Sequence, residues 1–119
     1  MTIVSNNQIY DGAAGPSPCR VGSSSFAIDI ANGGLATIAG NHLIQGPASQ
    51  NYKIIDYGEE GLNYPDNSLV VTDNNFINTA PSATGIYDPN CIPVQTSGNS
   101  FTAVNTPVDP PQCEAPLAD

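Results

Sequence analysis

The chain has 119 residues and very little positive charge, which excludes two classes of partner. Lys and Arg together number 2 against 11 Asp and Glu, so the formal net charge at pH 7 is −9. Nucleic acids and anionic membrane surfaces are bound through clustered Lys and Arg side chains that meet phosphate groups. The two cations, Arg20 and Lys53, are far apart in the sequence. We therefore expect no nucleic acid and no membrane surface as a partner.

Long apolar stretches are also missing. A helix that crosses a bilayer needs roughly 20 consecutive apolar residues, and no run here approaches that length, so we expect no membrane insertion. The first ten residues, MTIVSNNQIY, contain neither the basic nor the apolar region of a signal peptide. The compartment stays open. It is cytoplasmic, or it is extracellular or at the cell surface if a leader or an upstream region precedes the chain.

Stretches of Ala, Leu, Glu and Lys, which favour long helices, are absent as well. In their place Val, Ile, Thr, Tyr and Phe are interrupted at short intervals by Asn, Ser, 11 Gly and 11 Pro. The first group favours strands and the second favours turns. Because 39% of the residues are hydrophobic, the composition predicts a folded all-β protein rather than a disordered acidic tail.

Four similar stretches recur along the chain: SNNQI, AGNHL, TDNNF and SGNSF. Each contains a small residue, a turn-forming residue, an Asn, a polar residue and a large apolar residue. Apolar side chains alternate before each Asn and resume two residues after it, which is typical of a strand, a corner and a second strand. The repeated asparagines are Asn7, Asn41, Asn74 and Asn99.

The spacing of these asparagines predicts a solenoid. They lie about 34, 33 and 25 residues apart, within the range of known structural repeats. Residues 27–41 align without a gap on 85–99, so that Ile28 matches Ile86, and Ile54 takes this place in the unit between them. The alignment indicates a unit of about 25 residues with insertions near 12–22 and 57–67. Such a unit is too short for a helical crossover but fits one coil of a parallel β-helix.

Stacked coils explain the repeated Asn. Asn tolerates left-handed backbone angles at a sharp corner, and its amide can pair with the amide of the next coil. We therefore predict that the four asparagines form one structural ladder. The alternative is a β-sandwich with four coincidentally similar turns, in which strands would recur every 8–12 residues or so without a longer common unit.

The corner pattern x-N-x-[ILF] and the strand start GIYD at residues 85–88 resemble the repeats of the pectate-lyase-like superfamily. The resemblance covers about residues 2 to 105 and implies an all-β, right-handed parallel β-helix of about four coils. We predict the β-helix in residues 1–106 and a Pro-rich tail or cap in 107–119. No single activity follows, because this fold carries lyases, hydrolases, epimerases and adhesins.

The three cysteines are too few for a disulfide framework, and their spacing does not suggest zinc. Cys91 and Cys113 lie nearly one unit apart, so they could stack and form a disulfide, or stay free thiols packed as small hydrophobic residues. Cys19 lies in the first insertion and is expected to be unpaired. The N-terminal strand has no blocker comparable to the prolines of the tail, so we expect a homo-oligomer or a fragment of a longer solenoid.

The second insertion and the strand before it carry the most versatile side chains. Aromatic rings stack on sugars, and carboxylates bond hydroxyl groups or bind calcium. We predict a carbohydrate-binding or calcium-binding site here, and the alternative is a solvated acidic loop. The candidate binding residues are Tyr52, Lys53, Asp56, Tyr57, Glu59, Glu60, Tyr64 and Asp66.

The motifs that catalysis in this superfamily implies are missing. The resemblance implies that a lyase of this kind would need calcium and a nearby Arg or Lys base for elimination. A hydrolase would need paired aspartates. The chain has no Asp-Asp pair, no Gly-His-Gly-like stretch and no DPHE-like motif. His42 follows Asn41 at a position that is polar in every repeat, so we assign it no catalytic role.

These observations predict a non-catalytic β-helix module, or a C-terminal portion, of a polysaccharide-associated or surface protein. It would present loops 12–22 and 57–67 for carbohydrate or partner binding. Two alternatives stay open. One is a polysaccharide lyase or glycoside hydrolase with an acidic, calcium-assisted site around loop 57–67, and the other is a purely structural assembly module. Apart from calcium we expect no cofactor.

Overall fold

The computed structural model describes residues 1–18 and 20–117, which form three parallel β-sheets. Short strands arise where apolar and polar residues alternate, and corners arise where Asn, Gly and Pro interrupt them. One turn of 3-10 helix lies at Pro111–Cys113. In chain order the strands are β1 (Thr2–Ser5), β2 (Gln8–Asp11), β3 (Ile28–Ile30), β4 (Leu35–Ala39), β5 (His42–Gln45), β6 (Lys53–Tyr57), β7 (Ser68–Thr72), β8 (Asn75–Asn78), β9 (Thr84–Tyr87), β10 (Val94–Ser97), β11 (Ser100–Thr102), β12 (Thr106–Asp109) and β13 (Glu114–Pro116).

Every third strand returns to the same sheet. Sheet A has the order β1-β4-β7-β10-β13, sheet B has β2-β5-β8-β11, and sheet C has β3-β6-β9-β12. All neighbouring strands are parallel. The described residues therefore form four stacked coils followed by β13. This confirms the parallel β-helix and excludes the sandwich, whereas the right hand of the coil stays a prediction.

The parallel register stacks equivalent side chains into columns inside the coil. In sheet A, Ala36 pairs with Leu69, and Leu69 pairs with Val94, and all three are buried. In sheet B the ring of Phe76 stacks on that of Phe101 with 4.7 Å between centroids. Full burial of one such large apolar side chain stabilises the fold by roughly 1.5–3 kcal/mol. The core is thus a set of columns that run through the coils.

The corner between sheets A and B contains the asparagine ladder. Asn7 donates its backbone N–H and its side-chain amide to Oδ1 of Asn41, at 2.9 and 3.2 Å. Asn41 donates in the same way to Asn74, at 2.9 and 3.0 Å, and Asn74 to Asn99, at 3.0 and 3.1 Å. The four side chains therefore stand in one column. Left-handed backbone angles occur at the residues just before them, which are Asn6, Gly40, Asp73 and Gly98.

In sheet C the predicted alignment is wrong by one residue. Ile28 pairs with Ile55, and Ile55 pairs with Ile86, so Ile54 does not take the equivalent position. Both Ile54 and Ile55 are fully buried. Two consecutive isoleucines give the same apolar signal, so the pattern alone could not choose between them.

The C-terminal segment closes the last coil. β12 crosses the predicted boundary at residue 106, and β13, within the predicted tail, pairs with β10. A disulfide joins Cys91, before β10, to Cys113 in the 3-10 turn. Cys19, predicted to be unpaired, lies outside the described residues. At the opposite end, Ile3 on the edge strand β1 is 64% exposed.

Candidate functional site

The segment that connects β6 of sheet C to β7 of sheet A, residues 58–67, contains the second insertion except for Tyr57, which ends β6, and it runs along the preceding coil. Gly58 donates its N–H to the carbonyl of Ile30 at 2.9 Å, and Glu60 donates to Ala31 at 2.9 Å. Asn63 donates to Asn32 at 3.2 Å. The first half of the loop therefore has a defined position, because it extends the parallel pairing of β3 and β6.

The second half of the loop places Tyr64 over Gly34. A Cβ atom at Gly34, where φ is +95°, would lie 3.2 Å from Cδ2 of the Tyr64 ring. Gly33 also has a left-handed φ of +74°. Only glycine combines these angles with such a close approach. The glycine corner therefore sets the position of the tyrosine.

A groove of about 300 Å³ lies beside this ring at the open end of the coil. Tyr64 is 57% exposed, and Asp66 is exposed beside it. The opposite wall comes from the first residues of β1 and from the 40% exposed Leu35. An exposed aromatic face next to a carboxylate can stack on the apolar face of a sugar while the carboxylate accepts bonds from its hydroxyl groups.

The structure separates the other predicted binding residues from this groove. Tyr52 and Lys53 lie at the far end of β6, where the Tyr52 hydroxyl donates to the carbonyl of Pro47 at 3.2 Å. The Lys53 ammonium lies 3.8 Å from the centre of the Tyr87 ring. Glu59 and Glu60 are exposed at the base of the loop. Of the eight candidates, only Tyr64 and Asp66 line the groove.

Tyr57 is in the core and not on the surface. Its side chain is fully buried, and its hydroxyl donates to the carbonyl of Gly34. Burial raises the pKa of this hydroxyl, and the charge of Asp88 acts in the same direction. Tyr57 therefore offers no ring face to a ligand. It holds Gly34 from inside the coil, whereas Tyr64 covers the same glycine from outside.

Sheet C brings together two carboxyl groups from neighbouring coils. Asp29 on β3 is in register with Asp56 on β6. Asp29 is exposed, whereas Asp56 is 0% exposed, and neither of its oxygens makes a hydrogen bond of ordinary geometry among the described residues. Burial raises the pKa of Asp56 to about 8, Asp29 and the charge of Glu59 contribute further, and the backbone N–H of Glu59 opposes the shift. Asp56 is therefore mainly protonated at neutral pH.

The sequence search missed Asp29. Asp29 and Asp56 are not adjacent in the sequence, and the pair forms across two coils. Only the register of β3 against β6 reveals it, and that register depends on choosing Ile55 rather than Ile54.

A second buried carboxyl group lies at the end of β9. Asp88 is 0% exposed, and its Oδ1 accepts the N–H of Ile92 at 3.1 Å. Burial raises the pKa of Asp88 to about 6, although the bond from Ile92 opposes this shift. Asp88 thus supports the corner that precedes the disulfide and faces no ligand groove.

The first insertion is anchored by a carboxylate with good partners. Oδ1 of Asp11 accepts the backbone N–H and the hydroxyl of Ser24, at 2.9 and 2.7 Å. Its Oδ2 accepts the hydroxyl of Ser49 at 2.7 Å. His42, by contrast, is exposed on sheet B in register with Gln8 and Asn75. The Asp11 network holds the loop in place, and His42 occupies the polar column that the repeats predicted.

Two further observations concern ions and membranes. Within residues 1–18 and 20–117, no three His, Cys, Asp or Glu side chains form a group that could hold a metal ion. In the same part of the chain, no helix is long and apolar enough to cross a membrane. The predicted calcium site stays a prediction.

Comparisons with known proteins leave the geometry as the only guide to function. No family model, no curated protein and no solved structure matches the chain. The fold class that the structure defines is a stacked parallel β-helix, and the pectate-lyase-like superfamily stays a resemblance in the repeats.

Proposed function

We propose that the protein is a non-catalytic β-helix module that binds carbohydrate in the groove beside Tyr64. One observation carries the proposal: the exposed aromatic ring of Tyr64, packed over Gly34, lines the same groove as Asp66. A ring that is already in place loses little conformational freedom when a ligand binds, which favours affinity. The stacked coils provide a rigid support for it.

The setting that we propose is a polysaccharide-associated or surface protein. The resemblance of the repeats to the pectate-lyase-like superfamily supports association with polysaccharide. The open edge of β1, with its exposed Ile3, supports a homo-oligomer or a longer solenoid, because unpaired strand edges accept further strands. Loop 12–22 would offer a second surface for a partner.

The test is a glycan array followed by titration of the best ligand. Replacing Tyr64 with Ala removes the stacking surface, so we expect the affinity to fall about tenfold or more. Tyr10→Ala is the matched control, since Tyr10 lies partly exposed on sheet B away from the groove. Equal affinities for the wild type and Tyr64→Ala would contradict the proposal.

A second candidate function, a polysaccharide lyase or glycoside hydrolase, has one observation in its favour. Asp56 keeps its proton at neutral pH beside Asp29, and a general acid in glycoside hydrolysis needs a raised pKa. The burial of both Asp56 oxygens ranks this candidate below the binding module. Release of new sugar ends that is lost in Asp56→Asn would support the enzyme. If both assays are negative and light scattering finds a defined oligomer, a structural assembly role is favoured.

A further inference from the structure

The carboxyl pair of sheet C lies at the base of the second loop. Asp29 is followed by residues 30–32, and Asp56 is followed by residues 57–63. These two segments are joined by the N–H groups of Gly58, Glu60 and Asn63, which donate to the coil above. Attraction or repulsion between the side chains of Asp29 and Asp56 therefore acts at the start of these two hydrogen-bonded segments.

The unpartnered oxygens of Asp56 need an explanation. Asp56 is fully buried, and neither oxygen makes a hydrogen bond of ordinary geometry in the described part of the chain, although the backbone N–H of Glu59 lies close enough to lower its pKa. Two ionised carboxylates directly opposite each other on neighbouring strands repel. A carboxylic acid, in contrast, donates its O–H to an adjacent carboxylate, and such charge-assisted bonds are strong.

We propose that Asp56 and Asp29 share a proton as an acid–carboxylate pair, which holds the 58–67 loop closed on the coil above, and that loss of this proton loosens the loop. The Asp29–Asp56 pair, which we call the clasp, is thus a pH-sensitive contact at the base of the loop. The inference concerns the fold, so it stands whether or not the groove binds carbohydrate.

The neighbouring charged and titratable side chains do not neutralise an ionised Asp56 as the proton does. Glu59, in the loop itself, adds negative charge. Tyr87 is in register with Asp56 on β9, and Asp109 is in register with Tyr87 on β12. Lys53 is the one nearby cation on these strands; its ammonium lies over the Tyr87 ring and makes no hydrogen bond to Asp56. Deprotonation therefore leaves two opposed charges without a neutralising partner.

Hydrogen exchange of the intact chain tests the clasp, with rates corrected for the intrinsic effect of pH. Between about pH 6 and about pH 9 we expect the protection of the amides of Gly58, Glu60 and Asn63 to fall about tenfold or more. Asp56→Asn keeps an N–H donor for Asp29 and cannot ionise. Its protection should therefore change little over the same interval.

Asp66→Asn is the matched control, because it removes an exposed carboxylate from the same loop and should behave like the wild type. If Asp56→Asn fails to fold, Asp29→Asn serves instead: its amide can donate to ionised Asp56, and protection at high pH should persist. Wild-type protection that does not change with pH would overturn the proposal. So would a loss of protection in Asp56→Asn as large as that of the wild type.

Discussion

At the scale of single residues, the ladder asparagines carry an unusual number of bonds. Asn74 accepts two bonds from Asn41 and donates two to Oδ1 of Asn99. Its amide also donates to the carbonyl of Ile38 at 2.9 Å. Asn74 is 1% exposed, so water cannot replace these partners. A buried group that loses its partner costs more than the bond itself contributed.

We expect Asn74→Ala to lower the free energy of unfolding by about 2–4 kcal/mol, because it leaves the buried backbone N–H of Asn41 without an acceptor and removes the bond to the carbonyl of Ile38. Urea unfolding followed by circular dichroism measures this loss. The neighbouring change Asn75→Ala is the control, since Asn75 is only partly buried and accepts one bond, from the hydroxyl of Ser100. Equal losses in the two variants would show that the ladder has no special role.

At the scale of strands and loops, the repeats predicted more than the insertions did. Ala36, Ile38 and Leu43 alternate around Asn41 with the period of a strand, so sheets A and B could be predicted from one repeat. The strands of sheet C follow connections of unequal length from sheet B, and their register rests on Ile54 or Ile55, which the apolar pattern does not distinguish. The same ambiguity hid the Asp29–Asp56 pair.

The candidate site was predicted only in part for a related reason. Tyr57 and Tyr64 are both aromatic residues of one insertion in the sequence. The first is the last residue of β6 and points inward, whereas the second lies beyond the glycine-rich turn. Adjacency in the sequence says which loop carries a site, but the alternation at the end of the preceding strand decides which rings reach the surface.

The closing segment, residues 106–117, gives a prediction at this scale. The disulfide closes a loop with a sequence separation of 22 residues. Loop-closure entropy for such a length predicts that Cys91→Ser with Cys113→Ser lowers the free energy of unfolding by about 3 kcal/mol. Urea unfolding with and without a reducing agent measures it. The double variant should no longer respond to the reducing agent, and a wild type that is equally stable when reduced would contradict the prediction.

At the scale of the whole molecule, the two buried carboxyl groups with a raised pKa, Asp56 and Asp88, should make the protein more stable at low pH. The pKa values of Asp56, about 8, and Asp88, about 6, are raised above the ordinary value of 3.8. Between the unfolded and folded values the native state binds more protons than the unfolded state, so stability falls as the pH rises. The stabilisation by these two carboxyl groups is fully present below about pH 4. It is lost as the pH rises through their pKa values in the folded state.

We therefore expect the urea midpoint to fall continuously between about pH 4 and about pH 8. Asp88→Asn should reduce the slope up to about pH 6, whereas Asp56→Asn should reduce it over the whole interval and leave little slope above about pH 6. High salt is the control for general repulsion by the net charge of −9, because it screens surface charges and affects buried ones much less. A midpoint that rises with pH over this interval would contradict the raised pKa values.

The asparagine-to-asparagine bonds give the ladder a direction, since Asn41 and Asn74 each accept from the asparagine of the preceding coil and donate to Oδ1 of the next one. At the ladder, each interior coil therefore presents a hydrogen-bond acceptor to the preceding coil and hydrogen-bond donors to the next one. Residues 42–74 run from just after one ladder position to the next, so this segment is an interchangeable module. Duplicating it in tandem would lengthen the stack of coils by one step of about 4.8 Å while leaving the edge strand β1 and the C-terminal closing segment unaltered.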